Sequence, residues 1–183
     1  MDKRSEIIAG AARIFEAEGF RGVGIDRVIA PSGASTRTLY KHFGSRDGLV
    51  IAVLEARHRC FMDQLADGDP QNTDPVAVLF DTLRSWMAAH GARGCMLLRA
   101  RSEYGEASEE IVLLVSRQKQ EFRDEIARRV ERALGRKDAV LSAQIWLLFE
   151  GATAAASVAG ASVMEDAKSA ALMLLENART RQP

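Results

Sequence analysis

Apolar residues recur at three- and four-residue spacing along almost the whole chain, and few segments alternate apolar and polar with period two. That rhythm predicts an all-α fold of about nine helices. Ile7, Ala11, Ile14 and Phe15 share one face of a first helix over Lys3–Glu18, which Gly19 ends. Phe20 and Val23 anchor the link to a second helix that starts near Ile25 after Gly24, a mediocre N-cap. Ile25, Val28 and Ile29 form its buried stripe. It is expected to end at about Ala30, because Pro31 inside a helix would remove a backbone bond and clash with the preceding turn. Gly33 marks a tight turn. Ser35 caps a third helix reaching about His42, whose Leu39 and Phe43 point back into a three-helix core. Gly44 stops it, and Ser45 caps a long fourth helix to about Ala66, apolar at Leu49, Val50, Val53, Leu54, Phe61 and Leu65.

Asp67 to Pro75, DGDPQNTDP, is the clearest linker, with two prolines, a glycine and three acidic residues. A fifth helix follows from about Pro75 to His90, then Gly91 and Gly94 interrupt the chain. A short helix over Cys95–Glu103, a turn at Gly105–Ser108 and a long helix over Glu109–Leu134 come next. Two more are expected over Asp138–Ala159 and Val163–Arg179. Ala139 to Met164 carries one charge, Glu150, between uncharged runs of 11 and 14 residues. Both runs fall short of the roughly 20 residues a membrane span needs. A central carboxylate adds roughly 2.5 kcal/mol against insertion. The segment reads as a helix buried on several faces, and no membrane partner is expected.

At 183 residues with 47% hydrophobic content, a substantial core is available and intrinsic disorder is excluded. Formal net charge is zero, so the whole-chain basic excess common in nucleic-acid binders is absent. The distribution is uneven: residues 1–50 hold eight Lys/Arg against six Asp/Glu, and Ser32 to Arg46 holds three basic residues and no acidic one. The 2 cysteines, Cys60 and Cys95, lack metal-ligand or CxxC spacing, which fits a reducing compartment. The charged, helical MDKRSEII start does not read as a signal peptide. A cytoplasmic protein is the expectation.

Chemistry concentrates between Ile25 and Leu49, IDRVIAPSGASTRTLYKHFGSRDGL. Two short helices joined at Gly33 place Ser35, Thr36, Arg37, Thr38, Tyr40, Lys41 and His42 on or beside one small element, with Arg46 at its far flank. These side chains hydrogen-bond phosphates or base edges, and a short basic helix on a helical scaffold fits a DNA major groove. A solvated basic face is the plain alternative for Arg37, Lys41 and Arg46; their placement favours DNA. Arg37 is the expected base reader, with Thr38, Tyr40, Lys41, His42 and Arg46 on phosphates. The Tyr40 ring has a second option, packing on the first helix.

Gly19-Phe20, IDRVIAPSG and TLYKHFGSRDGL, at their spacing from Gly33, resemble the tetracycline-repressor (TetR) family of bacterial transcription regulators. The close resemblance covers about the first 50 residues. RGCMLLRARSEY and FEGATAAA extend it more loosely. It implies a helix-turn-helix DNA-binding domain over residues 1–48 and a helical regulatory and dimerisation domain over 49–183. It further implies a homodimer on a double-stranded DNA operator, released by a small molecule. Arg37 is bulky where many members carry a small residue, which bears on base preference.

Phe61, Leu83, Trp86, Met87, Met96, Tyr104 and Phe122 are candidates to line a pocket for a small apolar or amphipathic ligand. For each alone, core packing is the commoner explanation. Arg99, Arg101 and Glu103 are possible polar partners, though helix-surface ion pairs account for them as well. Trp146, Leu147, Gly151, Ala155, Ala159 and Leu172 are the candidate dimer seam, against packing within one subunit. Cys95, behind Gly94 at a helix start, reads as a small core residue or else a sensor thiol; Cys60 reads the same way. No phosphate loop, nucleophile elbow, metal cluster or paired carboxylates occur. Neither enzymatic activity nor a cofactor is expected. An adaptor without DNA binding, or an activator on the same fold, are the alternatives.

Overall fold

A computed structural model describes residues 2–68 and 74–181. Among the described residues there are nine α-helices and no strand. They are α1 (Lys3–Glu18), α2 (Ile25–Ile29), α3 (Thr36–Phe43), α4 (Arg46–Asp67), α5 (Pro75–His90), α6 (Met96–Tyr104), α7 (Glu109–Leu134), α8 (Ala139–Ala159) and α9 (Val163–Thr180). Residues 69–73 of the expected linker lie outside the described residues.

Local chemistry sets the ends. Asp2, Ser35, Asp74 and Asp138 each accept a backbone N–H in the first turn of the helix they open. Pro75 fills the first position of α5, where its missing N–H costs nothing. Pro31 acts as expected: α2 stops at Ile29, and Ala30–Ser32 form a single 3-10 turn. Gly33 leaves that turn at φ 61°, a left-handed conformation that glycine adopts without penalty. The 30–32 turn rests on α1 at Gly10, where an added Cβ would lie 3.2 Å from Pro31 Cβ.

The described chain packs as two compact units. The first comprises residues 1–60 and 96–117, the second 61–95 and 118–183. The first unit thus takes in α6 and the start of α7 besides the helix-turn-helix region. Its core holds Phe15, Phe20, Leu39, Leu49, Tyr104 and Ile111. The second unit is built on Leu79, Phe80, Phe122, Ile126, Ile145 and Leu175. At its centre lies a chain of rings: Phe122 and Phe149 are 4.6 Å apart, and Phe61 meets Trp86 at 5.2 Å and Phe122 at 5.8 Å.

α8 is the one described helix long and apolar enough to cross a membrane, by length and composition only. Its stripe of Leu141, Ile145, Phe149, Ala152 and Ala156 is buried within the second unit, against α9 and α5. Arg129 is only 2% exposed, yet its guanidinium is satisfied by Glu125 at 2.7 Å, Leu65 O at 3.0 Å and Pro75 O at 3.1 Å. It ties the end of α4 to the start of α5.

Candidate nucleic-acid interface

α3 is fixed before any of its side chains can serve a ligand. Thr38 N donates to Ser35 Oγ at 3.2 Å, and the two hydroxyls lie 2.9 Å apart. Thr36 Oγ1 donates to Asp26 Oδ1 at 3.0 Å, which pins the start of α3 to α2. Leu39 is fully buried and Phe43 packs against the same core. The Arg4 guanidinium sits 5.3 Å over the Phe43 ring. Gly44, at φ 72°, closes the helix by donating to Tyr40 O at 2.9 Å.

With that face and both ends committed, one row remains. Arg37, Tyr40, Lys41 and His42 are exposed, Tyr40 to 49%. The side chains of Arg37, Tyr40 and Lys41 make no hydrogen bond or ion pair among the described residues. Three- and four-residue spacing puts these three on one face. They form a compact set of donors on a helix whose apolar face and both ends are already engaged. Ser35, Thr36 and Thr38, by contrast, spend their hydroxyls on capping and on Asp26.

Arg46 departs from its expected place on a phosphate. Its guanidinium is turned inward, donating to Phe20 O and to Val23 O, the latter at 2.6 Å, and lies 5.9 Å over the Phe15 ring. It fastens the loop between α1 and α2 to the start of α4. Glu103 grips the same loop from α6: its carboxylate accepts Phe20 N at 2.9 Å and Arg21 N at 2.8 Å. Arg99 pairs with Glu103 at 3.3 Å and donates to Glu16 O at 3.1 Å. Arg57 pairs with Glu16, and Arg101 donates to Ser116 Oγ at 3.3 Å. Arg99 and Glu103 are thus committed to each other and to the end of α1 and the loop that follows it.

The seven pocket candidates do not gather in one place. Phe61, Leu83, Trp86, Met87 and Phe122 belong to the core of the second unit or its edge. Met96 and Tyr104 belong to the first unit, where Tyr104 is 3% exposed and meets Phe20 edge-on at 6.3 Å. Burial, then Asp47, raises the Tyr104 phenol above its ordinary pKa. Neither cysteine is a core residue: Cys60 is exposed and Cys95 half-buried.

The seam candidates also divide. Leu147, Gly151, Ala155 and Ala159 lie exposed along one side of α8, and Leu147 and Val158 expose 60% and 91% of their surface. Leu147, Gly151 and Ala155 line a shallow apolar groove of about 510 Å³ with Val163, Ala167 and Leu174 of α9. Leu172 is half-buried against the core of its own unit. Trp146 faces elsewhere, toward α7, with the Arg123 guanidinium 4.7 Å over its ring.

A capped, apolar-anchored α3 behind a glycine turn, with basic and hydroxyl donors outward, defines a helix-turn-helix head of the kind that reads duplex DNA. Residues 7–53 match the model of the bacterial regulatory proteins of the tetR family. Two curated relatives align over the same part of the chain. LmrA of Bacillus subtilis, an HTH-type transcriptional regulator, is 33% identical over 76 residues, 41% of this chain and 40% of that protein. NicS of Pseudomonas putida, an HTH-type transcriptional repressor, is 31% identical over 85 residues, 43% and 40% of the two chains. The chain thus spans about two-fifths of the length of these relatives. Over nearly its whole length it is similar to SCO4454, a TetR-family transcriptional regulator from Streptomyces coelicolor. There the TM-score is 0.88 at 26% identity, covering 97% of this chain and 96% of that one. The likeness to the tetR family thus rests on the helix-turn-helix head by sequence and on nearly the whole chain by fold.

Proposed function

We propose that this protein is a cytoplasmic, homodimeric repressor that binds a double-stranded DNA operator through α3 and leaves it when a small molecule binds. The observation that carries the DNA-binding reading is the row Arg37, Tyr40 and Lys41, exposed and uncommitted on an otherwise fully anchored helix. Arg37 reads a base, most naturally guanine through its two-pronged donor geometry. Tyr40, Lys41 and His42 hold phosphates and fix register, with Ser35, Thr36 and Thr38 shaping the helix start. Replacing Arg37 by Ala costs about 1–3 kcal/mol at one base position. Binding-site selection with the wild type and the variant tests this, and an unchanged sequence preference refutes the assignment.

The exposed apolar side of α8 and α9 supports the dimer. Val140, Leu147, Val158 and Met173 are all more than half exposed there, and isolated soluble chains rarely leave such faces uncovered. Small residues at Gly151, Ala155 and Ala159 permit close helix approach, and a two-fold pair reads two half-sites about one DNA turn apart. Leu147→Glu places a charge on this face and shifts the protein to a monomer in light scattering; an unchanged mass refutes the seam. Release follows if the ligand binds better to the state that fits the operator poorly, since only a difference in affinity shifts the balance.

A further inference from the structure

Ser32 to Arg46 holds three basic residues and no acidic one. The fold nevertheless brings a carboxylate to the start of α3 from α2: Asp26 Oδ1 accepts the Thr36 hydroxyl at 3.0 Å. Asp26 is exposed. Its neighbour Arg27 is turned to Glu18, at 3.0 Å, and does not neutralise it. Among the described residues the Asp26 side chain makes no ion pair, and Thr36 is its one hydrogen-bond partner. Capping does not occupy it either, since Gly24 stands at the N-cap of α2 and Asp26 lies inside the helix. Oδ2 is left as a free acceptor.

Thr36 is the first residue of α3, and the first residues of such a helix are the ones that meet base edges in the major groove. A carboxylate turned to phosphates there would be repelled. Turned to the bases, it offers acceptors only. The Thr36 oxygen beside it is also left as an acceptor, its proton already given to Asp26. Among the major-groove edges, cytosine presents the N4 amino donor with no acceptor beside it. Adenine sets its N6 donor next to the N7 acceptor, and guanine and thymine present O6 and O4. From this juxtaposition we infer that Asp26 is a specificity-determining residue, accepting from N4 of a cytosine at a half-site position distinct from the one Arg37 reads.

The inference rests on the DNA-binding reading of α3 and adds to it a repulsive element. Asp26 recruits cytosine, and it excludes guanine and thymine by setting acceptor against acceptor. A clamp that only held Thr36 would fix α3 without preferring any base. Asp26→Asn separates the two roles. The amide oxygen can still accept the Thr36 hydroxyl, while an NH2 donor replaces the free acceptor. Asparagine pairs best with adenine, through N6 and N7.

The test selects binding sites from a random duplex library with the full chain and with Asp26→Asn. Fluorescence anisotropy then measures both proteins on the duplex selected by the wild type, on that duplex with the cytosine replaced by adenine, and on unrelated duplex. The wild type is expected to select cytosine at one position of each half-site. Asp26→Asn is expected to change that preference to adenine at that position alone, and to bind the wild-type duplex about tenfold more weakly per half-site. Its binding to unrelated duplex is expected to hold or tighten, because a negative charge has been removed. The same base at every position for both proteins overturns the inference and leaves the DNA-binding reading standing. So does uniform tightening on all three duplexes, or a preference weakened at every position alike, which marks a lost clamp. No selected sequence for the wild type overturns both.

Discussion

Arg46→Ala separates fold from DNA contact at one residue. The Arg46 guanidinium donates to two backbone carbonyls of the α1–α2 loop, Phe20 O and Val23 O, and covers the Phe15 ring. Hydrogen bonds from a charged donor contribute roughly 1.5–3 kcal/mol each, and the cation–ring contact about 0.5–1 kcal/mol. Arg46 is half-exposed, so water replaces part of this after truncation, and a net loss of about 2–4 kcal/mol is expected. Lysine at 46 should not restore it, because a point ammonium cannot serve two carbonyls as the planar fork does. Urea denaturation followed by circular dichroism measures the loss. The salt dependence of operator binding supplies the second reading, since each lost phosphate contact lowers the slope of log K against log salt by about 0.9. Arg46→Ala should leave that slope unchanged. A variant within about 0.5 kcal/mol of wild type, with a slope lowered by about one phosphate, refutes the structural assignment and returns Arg46 to the DNA.

Arg129→Met should destabilise the second unit by about 2–4 kcal/mol, because it strips donors from Leu65 O and Pro75 O and leaves Glu125 paired with Arg128 alone; a denaturation midpoint close to wild type would contradict this. Asp138 caps α8 through Leu141 N at 2.9 Å. Its pKa is lowered, chiefly by that backbone hydrogen bond; burial opposes the shift, and Arg136 adds to it. A depressed carboxylate stabilises above its unfolded value of 3.8 and loses that contribution as pH falls through the lower folded value. Asp138→Ala should therefore cost about 1 kcal/mol at neutral pH, a gap that closes in acid below the folded value; a gap that persists there contradicts the cap.

Helix ends were legible in the sequence because they are set within a few residues. Lys3–Glu18, Pro75–His90 and Glu109–Leu134 appear with the bounds their caps and glycines imply. Pro31 predicts its own effect, since the steric conflict is local. The anchored and outward faces of α3 followed from Leu39 and Phe43 by helical spacing. Partners distant in sequence did not follow. Periodicity tells which face of α6 is apolar, but not that Glu103 reaches back 83 residues to Phe20 N. It likewise makes Tyr104 an aromatic on a middle helix without saying which core receives it. One signal was present. A cation in the first turn of α4 opposes the helix dipole, which marks Arg46 as held by something stronger.

The free row on α3 is the proposed reader of DNA. Its most direct measurement is fluorescence anisotropy of the purified full chain on a duplex selected from a random library, repeated across a series of salt concentrations. Binding at least about a thousandfold tighter than to unrelated duplex is expected, with affinity falling steeply as salt rises. Selection that yields no preferred sequence, or binding indifferent to salt, contradicts it.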